Sequence, residues 1–361
     1  MNLLNSIKIR NFRGFDNLQI DGFSEINLLI GKNNSGKSSL LEAFFLLIGM
    51  SNPMLPENIN RLRGLNIKNA DEFKYLFYKL DFNNKPEFEC SFSDTTVRKL
   101  TLNPIFTKTA ITEGLNTKTT TDEISIDAST ASPKVTGLEL EFYLKQRHDS
   151  KKNYKSSIVF NPPEIIQNQN KKYNEELHAV YIAGNSKDIT ALARYSEIVK
   201  RKKGDIILKA LRKIDSNIES IHALPDGIFF SYKNITELMP SYIAGDGVRK
   251  YLNIITTIAE KKNSIVLIDE IENGLHYSAH KSLWESIISI SKEFSVQLFI
   301  TSHSIETLKS LEELLEESSY QNSQDKLSVF TVSHTKKSGI KTYKYTYKGF
   351  KDAIERETEI R

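Results

Sequence analysis

Hydrophobic and polar positions along this chain follow two periods, and the places where one gives way to the other outline the fold. Ser6-Ile-Lys-Ile-Arg10 alternates, Gly14 interrupts, Leu18-Gln-Ile20 resumes and Asp21-Gly22 makes a turn, which reads as two strands. Glu25-Ile-Asn-Leu-Leu-Ile30 reads as a buried strand and 38–48 as an apolar helix. Pro53 and Pro56 mark a loop, and 71–80 looks helical. Residues 91–135 are rich in Thr, Ser and Asn, with short strand-like pieces. Gly137 to Leu144 then alternates strictly, as an antiparallel strand with one wet face does. Stretches 145–155 and 167–172 read as polar connectors.

From Leu177 the pattern is regular again. Residues 179–182 form a strand, 188–201 and 205–214 helices, and 227–232 a strand-like piece. A helix over 246–261 precedes the apolar strand 264–268. A helix over 280–292 leads to a last apolar strand, 296–300, and 305–317 is an amphipathic helix. Strands alternating with helices imply a parallel sheet covered on both faces. The expected fold class is therefore α/β, with a parallel core over 1–81 and 176–361. An inserted antiparallel β subdomain occupies 82–175.

Composition narrows the picture little. The chain has 361 residues, 39% hydrophobic and 26% charged, as in an ordinary globular protein. Its 49 Lys+Arg against 45 Asp+Glu leave +4, too small an excess to imply nucleic-acid binding by itself. Cys90 is the only cysteine, so no internal disulfide forms and a reducing cytoplasm is expected. The start is too polar for a signal peptide, and the apolar run ending at Met50 is too short to span a membrane.

Chemistry enters at Gly31-Lys32-Asn33-Asn34-Ser35-Gly36-Lys37-Ser38-Ser39. This is a complete phosphate-binding loop pattern between a strand and a helix. The glycines let backbone N–H groups turn inward, and the helix N-terminus favours an anion. Lys37 neutralises the β- and γ-phosphates, and Ser38 offers a hydroxyl to Mg²⁺. Downstream, Ile265 to Ile268 is followed by Asp269 and Glu270. A buried strand ending in acid places both carboxylates at the sheet edge where ligands bind. There Asp269 completes the Mg²⁺ shell and Glu270 serves as general base toward water. His303, in Thr301-Ser-His-Ser304, closes the next strand the same way.

Together these segments resemble the ABC-type ATPase heads of the RecF, SMC and OLD group. The opening Ile7 to Arg13, the stretch Ile30 to Ala43, the Walker B and D-loop stretch Ile268 to His276 and the switch histidine His303 carry that resemblance. Tyr347 to Arg361 is similar to compact members found in bacterial defence loci. The resemblance implies ATP as ligand, with Arg13 among the nucleotide-contacting residues. It also implies a signature motif, for which Ile243-Ala-Gly245-Asp246-Gly247 stands. Ala244 replaces the usual serine, and no Q-loop glutamine is evident.

In such heads the signature of one protomer completes the phosphate site of the other, so a homodimer is implied, possibly part of a higher oligomer. The stretch after His303 is too short for the Toprim nuclease of OLD-type proteins. A separately encoded effector, Toprim-like nuclease or toxin, is therefore the implied partner, in anti-phage defence. Basic clusters at 200–213, 145–152 and 336–348 leave DNA contact open. Two other readings also stand: a RecF-like repair ATPase that clamps DNA, and a nucleotide-dependent binding module with little hydrolysis.

Overall fold

The opening alternation forms β1 (Leu4–Phe12) and β2 (Phe15–Asp21), paired antiparallel with Ile9 opposite Leu18. β3 (Ile26–Ile30) is buried throughout, and α1 (Lys37–Ile48) follows it after a six-residue loop. The computed structural model describes residues 2–107, 134–146, 152–161, 164–184, 190–335 and 339–356. Pro56 lies in the first turn of α2 (Leu55–Leu62) rather than in a loop, where a proline gives up no helical hydrogen bond. The 71–80 stretch is two 3₁₀ turns, Ala70–Leu76 and Tyr78–Leu80, and not one helix; Lys79 at φ 55° interrupts the second.

β4 (Glu87–Phe92), β5 (Val97–Phe106), β6 (Val135–Lys145), β7 (Lys152–Asn161) and β8 (Glu164–Asn168) come next. They join the first two strands in one antiparallel sheet, ordered β2-β1-β4-β5-β6-β7-β8. This sheet thus draws on residues before the phosphate loop as well as on 82–175. The two polar connectors are partly strands, since β7 starts at Lys152 and β8 reaches Asn168. β8 is exposed along its whole length, so an edge position replaces the apolar face that would have marked it. Residues 108–133 of the Thr/Ser/Asn-rich stretch lie outside the described residues.

The second half contributes β9 (Ala179–Ile182), α3 (Ala191–Lys200), α4 (Gly204–Leu211), β10 (Ile218–Leu224), β11 (Gly227–Tyr232) and β12 (Met239–Pro240). Then come α5 (Asp246–Glu260), β13 (Ile265–Ile268), α6 (His280–Phe294), β14 (Gln297–Ser302) and α7 (Ile305–Glu316). The last elements are β15 (Leu327–Thr335), β16 (Gly339–Tyr345) and α8 (Tyr347–Glu355). Residues 188–189 of a predicted helix and the 357–361 tail fall outside the described residues.

The central sheet runs β16-β15-β3-β14-β13-β9, parallel except for the β16 edge. The strand at 296–300 is therefore not the last one: β15 follows and pairs with β3 on its other side. Its pattern misleads because Ser328 and Thr331 are buried among Val329, Phe330 and Val332. Ser328 is accommodated by bonding to Ser24 Oγ at 2.8 Å and Gly22 O at 3.1 Å.

One face of this sheet packs α1 and the antiparallel sheet, with Phe44 against Phe299 at 4.3 Å between ring centres. The other packs α5, α6 and α7 through Ile254, Ile258, Trp284 and Leu311. Burying both faces of a parallel sheet is what makes its strands near-continuously apolar. The architecture is the expected α/β one, a parallel core between helices with an antiparallel β subdomain.

Candidate nucleotide-binding site

The loop between β3 and α1 needs both of its glycines. Gly31 has φ 141°, and a Cβ there would sit 2.3 Å from Val332 O; Gly36 has φ 103°, with Ile340 Cδ1 2.9 Å from its would-be Cβ. Neither conformation suits an L side chain. Lys32, Asn33 and Asn34 are exposed, while Ser35 and Lys37 are buried. Lys37 Nζ donates to Gly31 O at 2.7 Å and Lys32 O at 2.8 Å. Burial pulls its pKa below the usual lysine value, and the charges of Asp269, Glu272 and Glu270 oppose that. The lysine is thus within electrostatic reach of the Asp269–Glu272 segment.

Ser38 and Ser39 occupy the first turn of α1. Ser39 Oγ accepts from Arg63 at 2.9 Å, and Arg63 is itself held by Glu42 at 2.6 Å. Arg13, at φ 49°, lies 2.7 Å from the other Glu42 oxygen and donates to Asn60 at 3.1 Å. Its guanidinium is thus committed to α1, and burial lowers its pKa to about 10.

Asp269 leaves β13 at the sheet's C-terminal edge. Because Ile268 pairs with Ile300, Thr301 lies beside it. Thr301 Oγ1 donates to Asp269 Oδ1 at 2.6 Å and accepts the Glu270 N–H at 2.8 Å. Tyr181 donates to the other oxygen, Oδ2, at 3.1 Å. Burial, and then the Asp269 charge, push the Tyr181 pKa well above 10, so its hydroxyl keeps the proton it donates. Glu270 sits at φ 49°, and its carboxylate accepts from Asn273. Lys250, on α5, donates to Glu270 O at 3.2 Å and Gly184 O at 3.3 Å. His303 Nδ1 lies 2.8 Å from Glu272 Oε1, which also accepts the His303 N–H.

Gly245 caps the N-terminus of α5, Asp246 is exposed and pairs with Arg249 at 3.2 Å, and Gly247 faces Gly274 O. The sheet edge brings together the loop, Asp269, Glu270 and His303. The structure places Gly247 beside Gly274 O, leaves Gly245 and Asp246 exposed, and sets Arg13 against Glu42. The donor set suits Mg²⁺: each Asp269 oxygen keeps a lone pair after its single hydroxyl bond, and Ser38 adds a hydroxyl. A hard cation of this kind takes few protein ligands, with phosphates and water completing its shell.

Three lysines of the 200–213 cluster are matched by acids. Lys200, Lys203 and Lys213 pair with Glu197, Glu293 and Glu285, each at 2.6 Å, and Lys344 donates to Gly22 O. Arg147, His148, Lys151, Lys336 and Lys337 lie outside the described residues. Among the described residues, no helix is long and apolar enough to cross a membrane.

The family described as "AAA domain, putative AbiEii toxin, Type IV TA system" matches residues 26–309. The chain belongs to this AAA family. As an AAA family member it is an ABC-type ATPase of the RecF/SMC group. It is 28% identical to the "ATP/GTP phosphatase" of Helicobacter pylori over 345 residues, 88% of this chain and 90% of that protein. It is 50% identical over 44 residues to the DNA replication and repair protein RecF of Oenococcus oeni, 12% of each chain. The SMC head bound to the C-winged helix domain of ScpA is a looser likeness, with 11% identity and TM-score 0.48 over 95% of this chain and 97% of that one.

Sequence reading missed several residues of this AAA protein's site: Tyr181, Gly184, Lys250, Glu272 and Asn273. Gly184 is needed because a Cβ there would lie 2.8 Å from Glu270 Oε2. Thr301 was legible only as part of the histidine strand; the signal for its role is the pairing of β13 with β14. Thr301→Val removes both of its bonds at a fully buried position. It is expected to lower unfolding free energy by about 1–3 kcal/mol, read by urea denaturation, and to lower turnover as Asp269 loses its anchor.

Proposed function

We propose that this protein is an ATP-hydrolysing, nucleotide-gated dimeric switch of bacterial anti-phage defence that controls a separately encoded effector. The observation that carries the hydrolytic part is the Thr301 bridge, which fixes Asp269 and Glu270 side by side at the edge facing the phosphate loop. In this reading the loop N–H groups and Lys37 bind the phosphates, while Ser38 and Asp269 hold Mg²⁺. When bound, the cation neutralises charge developing on the transferred phosphoryl group. Glu270 accepts a proton from water, and that requires its carboxylate to leave Asn273. His303, steadied by Glu272, lies at the same edge to orient water or phosphate.

The dimer follows from Gly245–Gly247 at the start of α5, with Tyr242 and Ile243 beside it 66% and 62% exposed. Apolar side chains that bare fit a surface covered by a second copy. ATP bound by two protomers at once stabilises only the closed state, so hydrolysis opens it. The family's description names a toxin of a type IV toxin–antitoxin system, and the Helicobacter relative is called an ATP/GTP phosphatase. Both support a nucleotide-driven part of a two-component system. The RecF-like reading has a 44-residue match behind it, but the acid-paired lysines of the 200–213 cluster weaken it.

Size-exclusion chromatography with light scattering tests the switch: Glu270→Gln with ATP and Mg²⁺ should run as a dimer, and Glu270→Gln without nucleotide as a monomer. Co-expression with the neighbouring gene's product tests the effector, which should co-purify with the ATP-bound form. A chain that stays monomeric with ATP, or protects cells from phage unaided, would overturn the corresponding half.

A further inference from the structure

The outer edge of the antiparallel sheet is built differently from two other sheet edges of the chain. β8 pairs with β7 over five residues, and each of its own residues is exposed. Among the described residues, every hydrogen bond to β8 comes from β7. By contrast, β10, at the edge of the small sheet, has three carbonyls taken by side chains. Arg212 donates to Ile218 O and Glu219 O, and Tyr195 donates to Ile221 O. β16, at the edge of the central sheet, carries Lys341 and Lys344, and lysines commonly guard an edge. β8 has no lysine, no proline and no bulge. An unguarded edge is a template for another strand.

Its two isoleucines make that edge apolar on both sides. Ile165 lies opposite Phe160, and Ile166 opposite Val159. The two side chains therefore take opposite faces, each extending an apolar row of β7. They are 41% and 40% exposed. A strand laid beyond β8 covers one isoleucine on each face and pairs the open backbone groups.

The sequence of β8 fits a copy of itself. Antiparallel pairing centred on Ile166 is the register that matches all five residues. Ile166 then faces Ile166 of the second copy, Ile165 faces Gln167, and Glu164 faces Asn168. The two carboxylates sit at opposite ends of the ladder, each beside an amide able to donate to it. No like charges are opposed.

We propose that β8 pairs with β8 of a second copy of this chain, joining the two seven-stranded sheets edge to edge. The contact is twofold, with the same residues on both sides. It belongs to the antiparallel sheet, whereas Gly245–Gly247 open α5 on the opposite face of the central sheet. It is therefore separate from a dimer held by nucleotide. A five-residue ladder is smaller than the surface a stable dimer buries, so single chains pair weakly. Where a nucleotide-held dimer presents two such edges at once, the second pairing becomes intramolecular and the contact holds more tightly. That last step rests on the dimer proposed above; the β8 contact itself does not.

Oxidative cross-linking of the full chain without nucleotide tests the contact by itself. Cys90 is buried, so the wild type is the blank. Facing residues of an antiparallel ladder have Cα atoms about 4.5–5.5 Å apart, within disulfide reach. Ile166→Cys is expected to give a disulfide-linked dimer whose yield rises with protein concentration. Glu164→Cys and Asn168→Cys should cross-link poorly alone and efficiently when mixed. Ile166→Lys sets like charges face to face and is expected to weaken self-association about tenfold, read by sedimentation equilibrium. Its circular dichroism and its ATPase rate per chain should match the wild type. No cross-link in Ile166→Cys, or equal cross-linking of all three cysteine variants, would overturn the self-pairing. So would a chain that stays monomeric at every concentration, the result expected if the edge takes another protein's strand. Intact cross-linking without any nucleotide-held dimer would leave the β8 contact standing and remove only the dimer proposed above.

Discussion

Glu270→Gln is expected to lower the rate of ATP hydrolysis by about 10²–10⁴-fold, the range that a general base contributes, with nucleotide affinity nearly unchanged. The substitution keeps the shape that Asn273 and Gly184 surround and removes the ability to accept a proton. Its backbone position at φ 49° is set by Thr301 and Lys250, neither of which is altered. Steady-state phosphate release together with equilibrium ATP titration reads the two quantities apart. A variant that hydrolyses ATP at the wild-type rate would remove Glu270 from the chemistry. It would also favour a binding module that uses nucleotide structurally, a reading to which the engaged Asn273–Glu270 pair lends some weight.

Lys37→Ala is expected to weaken ATP by at least about tenfold, since each hydrogen bond to a charged group contributes about 1.5–3 kcal/mol. The loss is specific to the charge. Lys37 is held by two carbonyls of its own loop, Gly31 O and Lys32 O, so the lysine also steadies the loop's backbone. Lys37→Met keeps most of the buried stem and removes the ammonium. Equal losses in both variants assign the effect to the charge, whereas a smaller loss in Lys37→Met assigns part of it to packing. Intrinsic fluorescence or calorimetric titration measures it, and unchanged affinity in both would remove Lys37 from the binding site.

What was legible in the sequence was what is local in the chain. Gly31 to Ser39 carries its chemistry in nine consecutive positions, and Asp269 and Glu270 end an uninterrupted apolar strand. Each residue's role follows from its immediate neighbours. Thr301, Tyr181 and Lys250 are different, because they act on Asp269 and Glu270 from three other elements. Thr301 and Tyr181 come from the strands on either side of β13, β14 and β9, and no local pattern states which strands are neighbours. Lys250 acts from a helix whose sequence shows only that one face is apolar.

Polar residues misled in two opposite ways. β15 was overlooked because Ser328 and Thr331 sit in a buried strand. The end of β8, Gln167 and Asn168, reads as a connector because it is polar and exposed at a sheet edge. The 71–80 stretch has a helical composition, yet Phe77 lies in extended conformation between its two 3₁₀ turns, a tertiary demand that propensity does not contain.

The position of β15 bears on how the chain matures on the ribosome. β3, which delivers the phosphate loop, lies between β14 and β15, with Ile30 paired to Ser302 on one side and Thr331 on the other. Every motif residue from Gly31 to His303 is therefore synthesised before the strand that completes the sheet beside the loop. A nascent chain halted after His303 has the full set of motif side chains but leaves one edge of β3 open. A chain ending after His303 is therefore expected to bind nucleotide less tightly than one that includes β15, and titrating the two with ATP measures the difference.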